Sequence, residues 1–226
     1  MEVSKSKIWK AAIVLIILLL PSLFYLFLFS GKHLHQSLPY FGPKKLVEKE
    51  GKFDTVYFTI PSFRLLDQDS ILFTRDSMHG YIYVVDFFFA TCPTICPKMA
   101  THMHNLQEKF KDYPQVKFLS ITVNPEHDTP TVLNDYAKKV HAGPNWKFLT
   151  GEKDSIYNLA FTGFFVSAMK DTLAPGGFLH SPYLILLDKE AHIRGYFDGT
   201  STTETKKLED ALKILLYDDF KAKKKK

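Results

Sequence analysis

Residues 81–97 read YIYVVDFFFATCPTICP. Tyr81–Phe89 is aromatic and β-branched with one charge, Asp86, the composition of a strand buried on both faces. From Cys96 to Phe110 the apolar residues Met99, Met103, Leu106 and Phe110 recur at helical spacing, which predicts an amphipathic helix. The stretch is therefore a central strand that turns into a helix. Both cysteines of the chain, Cys92 and Cys96, lie in the turn. Ligands of open α/β sheets bind beyond the carboxyl ends of strands, so the candidate chemistry sits here.

Working outward, Val116–Val123 (VKFLSITV) predicts a second strand. Asp128-Thr129-Pro130 supplies a cap and a first-turn proline for a helix reaching about Val140. A short strand at Lys147–Leu149 precedes a helix over Thr150–Phe161, capped by Thr150. Tyr183–Leu187 and His192–Phe197 form a hairpin through the turn Asp188–Ala191, and Thr203–Tyr217 is the closing helix. This succession predicts an α/β fold, a mixed central sheet flanked by helices. There is no internal repeat and no second domain.

The chain has 226 residues, 46% of them hydrophobic, and a net charge of +5. That charge belongs to the ends. Residues 1–31 carry +2 and the tail, residues 221–226, carries +5, which leaves the body at −2. A nearly neutral body excludes the basic face that a nucleic-acid groove requires. Two cysteines exclude a disulfide scaffold and a four-cysteine zinc site.

From Ala11 to Phe29 there is no charge, and Lys5, Lys7 and Lys10 precede the run. A bilayer core takes about 20 apolar residues in a helix, so residues 1–31 are expected to be a single-pass membrane anchor. The lysines place the amino end in the cytoplasm and the body on the extracytoplasmic side. A cleaved signal peptide fits less well, because the apolar run continues past Leu20 and no A-x-A-like site follows. Residues 32–52, with Pro39 and Pro43, read as a linker, residues 53–220 as the single domain, and residues 221–226 as a polybasic, solvated tail.

Cys92 and Cys96 stand four residues apart, each followed by a proline. A helix amino terminus favours thiolate over thiol, and a body in an oxidising compartment can use such a pair in two ways. The thiolates can exchange a disulfide, or they can bind a soft metal ion, Cu(I) foremost. A third ligand is sought among nine histidines. His102 and His104 fall off the apolar stripe and read as solvated. His79, His127, His141 and His192 read as turn, loop, helix-end and exposed residues, and His33 and His35 lie in the linker. His180 follows Gly176-Gly177-Phe178-Leu179 and precedes the strand Tyr183–Leu187. It can reach the cysteines if that strand runs antiparallel to Tyr81–Phe89.

From Val56 to Gly199 the chain resembles the Sco/SenC family of thioredoxin-like copper proteins. The resemblance rests on Cys92-Pro93-x-x-Cys96-Pro97, on Asn124-Pro125-Glu126-x-Asp128-Thr129, and on His180 ahead of a hydrophobic strand and Asp188. It implies a thioredoxin-like fold and a copper ion, Cu(I) or Cu(II), held by Cys92, Cys96 and His180. It also implies a metallochaperone that helps assemble the dinuclear copper centre of cytochrome c oxidase. The partners implied are the copper-accepting oxidase subunit and a thiol reductant or copper donor. Two thiolates and one imidazole suit Cu(I), whereas structural zinc takes a fourth protein ligand.

The chain departs from the family where relatives are often acidic. Thr94 stands between the cysteines, Leu179 stands before the histidine, and Asp171 is the one acid of the loop 167–179. Pro182 resembles the cis-proline position of the wider thioredoxin fold, the other reading being an ordinary strand-entry proline. That feature favours the alternative function, a membrane-tethered thiol–disulfide oxidoreductase that uses Cys92 and Cys96 as its redox couple and, in its oxidised form, joins them as a disulfide.

Overall fold

The computed structural model describes residues 5–30, 37–49, 51–170 and 178–224. The chain divides into two units, Met1–Ser37 and Leu38–Lys226. The first contains the helix α1 (Lys5–Ser30), with Pro21 inside it. Among the described residues no helix is long and apolar enough to cross a membrane. The side chains at 5–8, 11, 12 and 26–30 of the expected anchor lie outside the described residues.

The second unit opens with a hairpin of β1 (Lys45–Lys49) and β2 (Lys52–Val56), followed by β3 (Arg64–Asp67), β4 (Leu72–Thr74) and β5 (Ile82–Phe88). Then come α2 (Ile95–Lys109), β6 (Val116–Thr122), α3 (Pro130–Lys139), β7 (Trp146–Thr150) and α4 (Lys153–Asn158). A second small hairpin, β8 (Ala168–Lys170) and β9 (Phe178–His180), leads into β10 (Tyr183–Leu187), β11 (Ile193–Asp198) and α5 (Thr202–Lys224).

Seven strands form the central sheet in the order β11-β10-β5-β6-β7-β3-β4. β5, β6 and β7 are parallel, and β10 and β3 flank them antiparallel. The path β5-α2-β6-α3-β7 advances one way across the sheet, so right-handed crossovers put α2 and α3 on the same face. β5 is buried along its whole length, and its residues alternate between the two faces. Phe87 meets Phe164 edge-on with ring centres 5.3 Å apart, while Phe88 packs on Tyr136 of α3 at 5.0 Å. Burial on both sides is why this strand reads as an unbroken apolar run rather than an alternating one.

Two expectations need correction, and one open alternative is decided. The helix expected over Thr150–Phe161 is shorter, because Thr150 completes β7 and Glu152 is the cap, accepting from the N–H groups of Asp154 and Ser155. A π-helical turn over Leu159–Gly163 follows it. The expected linker, residues 32–52, is partly body. Arg194, in β11, donates from Nε to the Pro39 carbonyl and from Nη2 to the Leu38 carbonyl at 3.1 and 2.6 Å, and Phe41 N–H bonds the Ile193 carbonyl. Among the described residues there is no cis peptide bond, so Pro182 follows a trans bond.

Candidate metal and thiol centre

β5 delivers the chain to the thiol turn, and the turn is held from outside. The Ala90 N–H donates to Asp128 Oδ2 at 3.0 Å, and the Thr122 hydroxyl donates to the same oxygen at 2.5 Å. Oδ1 of Asp128 meets His127 Nδ1 at 2.7 Å. Asp128 is fully buried, and Thr129, not Asp128, caps α3 by accepting from the Val132 N–H. The sequence motif Asp128-Thr129-Pro130 thus splits its work. The threonine and proline start a helix, and the aspartate reaches back 38 residues to fix the strand end that carries the cysteines.

Cys92 lies in the turn and Cys96 in the first turn of α2, and no disulfide joins them. They hydrogen-bond one another, and Cys92 Sγ lies 3.9 Å from Thr94 Oγ1. Cys92 is 8% exposed and Cys96 2%. The expected thiolate preference fails at Cys96, whose thiol is pushed up rather than down. The hydrogen bond to Cys92 and burial favour the protonated form, and the Asp86 carboxylate adds to them. A backbone contact from Phe89 offsets only part of this. Asp86 itself accepts from the Ser120 hydroxyl at 2.5 Å, and the Trp146 indole N–H donates to that hydroxyl at 2.9 Å. This buried chain crosses β5, β6 and β7. Only the single charge in the strand sequence hinted at it.

His180 is the last residue of β9 and pairs in register with Ala168 of β8. Its side chain and the loop residues 171–177 lie outside the described residues. The backbone nonetheless answers the topological condition set by the sequence. β10 runs antiparallel to β5, with Ile185 opposite Val85 and Leu187 opposite Tyr83. The amino end of β10 is therefore level with the carboxyl end of β5, and His180 stands three residues before it. The chain brings His180 and the cysteines to one end of the sheet.

His33 and His35 lie outside the described residues, and two of the other histidines are less exposed than expected. His102, expected to be solvated, is half-buried, with Nδ1 at 2.7 Å from the Gly199 carbonyl. His192, expected to be exposed, is half-buried beside Asp188 and Tyr40. Asp188, Glu190 and His192 bring ligand atoms within 4.8 Å of one another, at the opposite end of β10. Asp188, however, is already bound by Arg194 Nη1 at 2.9 Å and by the N–H groups of Glu190 and His192. That cluster is a charged turn.

The SCO1/SenC family model matches residues 53–215. A SCO1 protein homolog of Bacillus subtilis is 28% identical over 152 residues, covering 66% of this chain and 79% of that protein. A SCO1/SenC family lipoprotein from Bacillus anthracis superposes with a TM-score of 0.65 at 27% identity, over 70% of this chain and 95% of that one. Bradyrhizobium japonicum ScoI, solved with copper bound, gives a TM-score of 0.59 at 25% identity, over 70% of this chain and 98% of that one.

Proposed function

The chain belongs to the SCO1/SenC family, and on that premise we propose that it is a membrane-tethered copper-binding protein that helps assemble the dinuclear copper centre of cytochrome c oxidase. The cargo is a copper ion, held by Cys92, Cys96 and His180. The observation that carries this reading is the pair of buried thiols in hydrogen-bond contact with each other at the carboxyl end of β5. Two neighbouring sulfurs can close on one soft ion, and a third ligand from a loop leaves the ion exchangeable. The hydrogen bond to Cys92 and burial hold the Cys96 thiol protonated, so copper binding must release its proton and tightens as pH rises. The B. japonicum relative with copper bound supports the choice of metal.

The tether is assigned to residues 1–31, for which the uncharged run Ala11–Phe29 and the preceding lysines speak. The body then faces the extracytoplasmic side, where it meets the copper-accepting oxidase subunit and a copper donor or thiol reductant. The same thiol contact favours a second role. Two sulfurs that already touch can join as a disulfide, which would release copper and make the protein a thiol–disulfide oxidoreductase.

Copper stoichiometry of the reduced full chain in detergent tests the reading. The wild type is expected to take up about one Cu(I). Cys92→Ser and Cys96→Ser should each abolish tight binding, and His180→Ala should weaken Cu(I) and disturb Cu(II) more. Normal affinity in either cysteine variant would overturn the assignment. Unchanged copper affinity in His180→Ala, with substantial disulfide reductase activity, would favour the second role.

A further inference from the structure

The two sulfurs are not equivalent towards the surface. A cleft of about 370 Å³ opens beside the thiol turn, between α2 and α3, and Cys92 lines it whereas Cys96 does not. That volume falls within the range of small-molecule sites. The floor is apolar, built from Ala100, Tyr136 and Val140. The remaining lining includes Lys139, His104 and His141 and contains no carboxylate. His104 Nδ1 lies 3.2 Å from the His141 carbonyl, and the two imidazoles stand 6.0 Å apart. Lys138 pairs with Asp135, but among the described residues no carboxylate pairs with Lys139.

A sulfur at the wall, an apolar floor and an unopposed basic side suit one class of ligand. We propose that this cleft admits a low-molecular-mass thiol that bears carboxylates and delivers its sulfur to Cys92. The proposal rests on the reading that Cys92 and Cys96 can join as a disulfide. In the oxidised protein the ligand thiol attacks Cys92 Sγ. A new S–S bond forms to Cys92, the Cys92–Cys96 bond breaks, and the ligand's proton ends on Cys96. A second ligand thiol then attacks the ligand sulfur of the mixed disulfide and passes its proton to Cys92. Two thiols are oxidised to one ligand disulfide, and the protein gains both thiols. Run in reverse, the ligand disulfide caps Cys92. Lys139 and the two histidines are recognition residues: they place the carboxylates, and the sulfurs do the exchange.

The experiment compares two reductants of the oxidised full chain in detergent: glutathione, which carries carboxylates, and 2-mercaptoethanol, which is uncharged. The readout is the ratio of their reduction rates. Lys139→Glu should lower that ratio about fivefold by reversing the charge at the cleft, and the double variant His104→Gln/His141→Gln should lower it by less in the same direction. Neither should change the mercaptoethanol rate or copper stoichiometry. Added salt should slow glutathione more than mercaptoethanol in the wild type. The same ratio in all variants would overturn the cleft proposal and leave the disulfide intact. Absence of a Cys92–Cys96 disulfide after mild oxidation, read by intact mass, would overturn the reading beneath it.

Discussion

Asp128 concentrates more of the site's geometry in one side chain than either cysteine does. Its buried carboxylate receives the Ala90 N–H, the Thr122 hydroxyl and the His127 ring nitrogen. Asn has the same shape but carries an NH2 in place of one oxygen and no charge, so Asp128→Asn loses the charge-assisted contacts of that carboxylate. The expected cost is about 2 kcal/mol, read as a lower urea midpoint with an unchanged slope. The cysteines were legible in the sequence because their type and spacing are themselves the signal. Asp128 was legible only as part of a helix cap. Its true partner, Ala90, lies across the sheet, and no local pattern encodes a contact that distant.

Two neighbouring strands, β3 and β7, share a buried acid–base pair that responds to acid. Asp67 ends β3, almost fully buried, and Lys147 of β7 donates to it at 2.8 Å. Burial pulls the Asp67 carboxyl up, but the Lys147 ammonium and the N–H groups of Ile71 and Asp69 together more than reverse this and hold it below the usual carboxylate range. A lowered folded value means that the unfolded chain binds more protons in the acid limb, so stability there rises with pH. The contribution is present at neutral pH and is lost as pH falls through and below about 4. Denaturant titrations of wild type and Asp67→Asn between neutral and acid pH should converge as pH falls. A constant gap would exclude this role.

The closing helix gives a contrast on one element. Leu212 of α5 is fully buried, while Lys213 beside it is exposed and pairs with Glu209 and Asp210. Leu212→Ala should cost about 2–5 kcal/mol, and Lys213→Ala less than about 1 kcal/mol, both by chemical denaturation. The central strands and α2 were readable to within a few residues, but the closing helix, expected to end at Tyr217, runs on to Lys224 and takes in most of the expected tail. The α4 boundary was not, because Thr150 is as apt a cap as Glu152 until the extension of β7 claims it.

At the scale of the molecule, the antiparallel docking of β10 on β5 decides whether the resemblance can work. The sequence foresaw the hairpin and stated the condition, but strand order and direction arise from the whole sheet. The assignment of 32–52 as linker failed for the same reason. Leu38–Phe41 has no period of its own and is ordered by β11. Arg194 is 7% exposed and holds Asp188, Pro39 and Leu38 while its guanidinium stacks on Tyr40 at 3.9 Å. Removing it leaves Asp188 buried without its cation. Arg194→Met should therefore cost about 3 kcal/mol and make residues 38–44 the first site of limited proteolysis, read by mass mapping.

That clamp also sets how the body answers force. A pull on the amino-terminal chain arrives at Leu38–Phe41 and loads Arg194 on β11, the outermost strand, while the thiol turn continues from β5, two strands further in. The guanidinium grip is a mechanical fuse: it can slip and release a few residues of slack before β10 or β5 bears load. Tension on the amino-terminal chain would leave the spacing of Cys92 and Cys96 undisturbed.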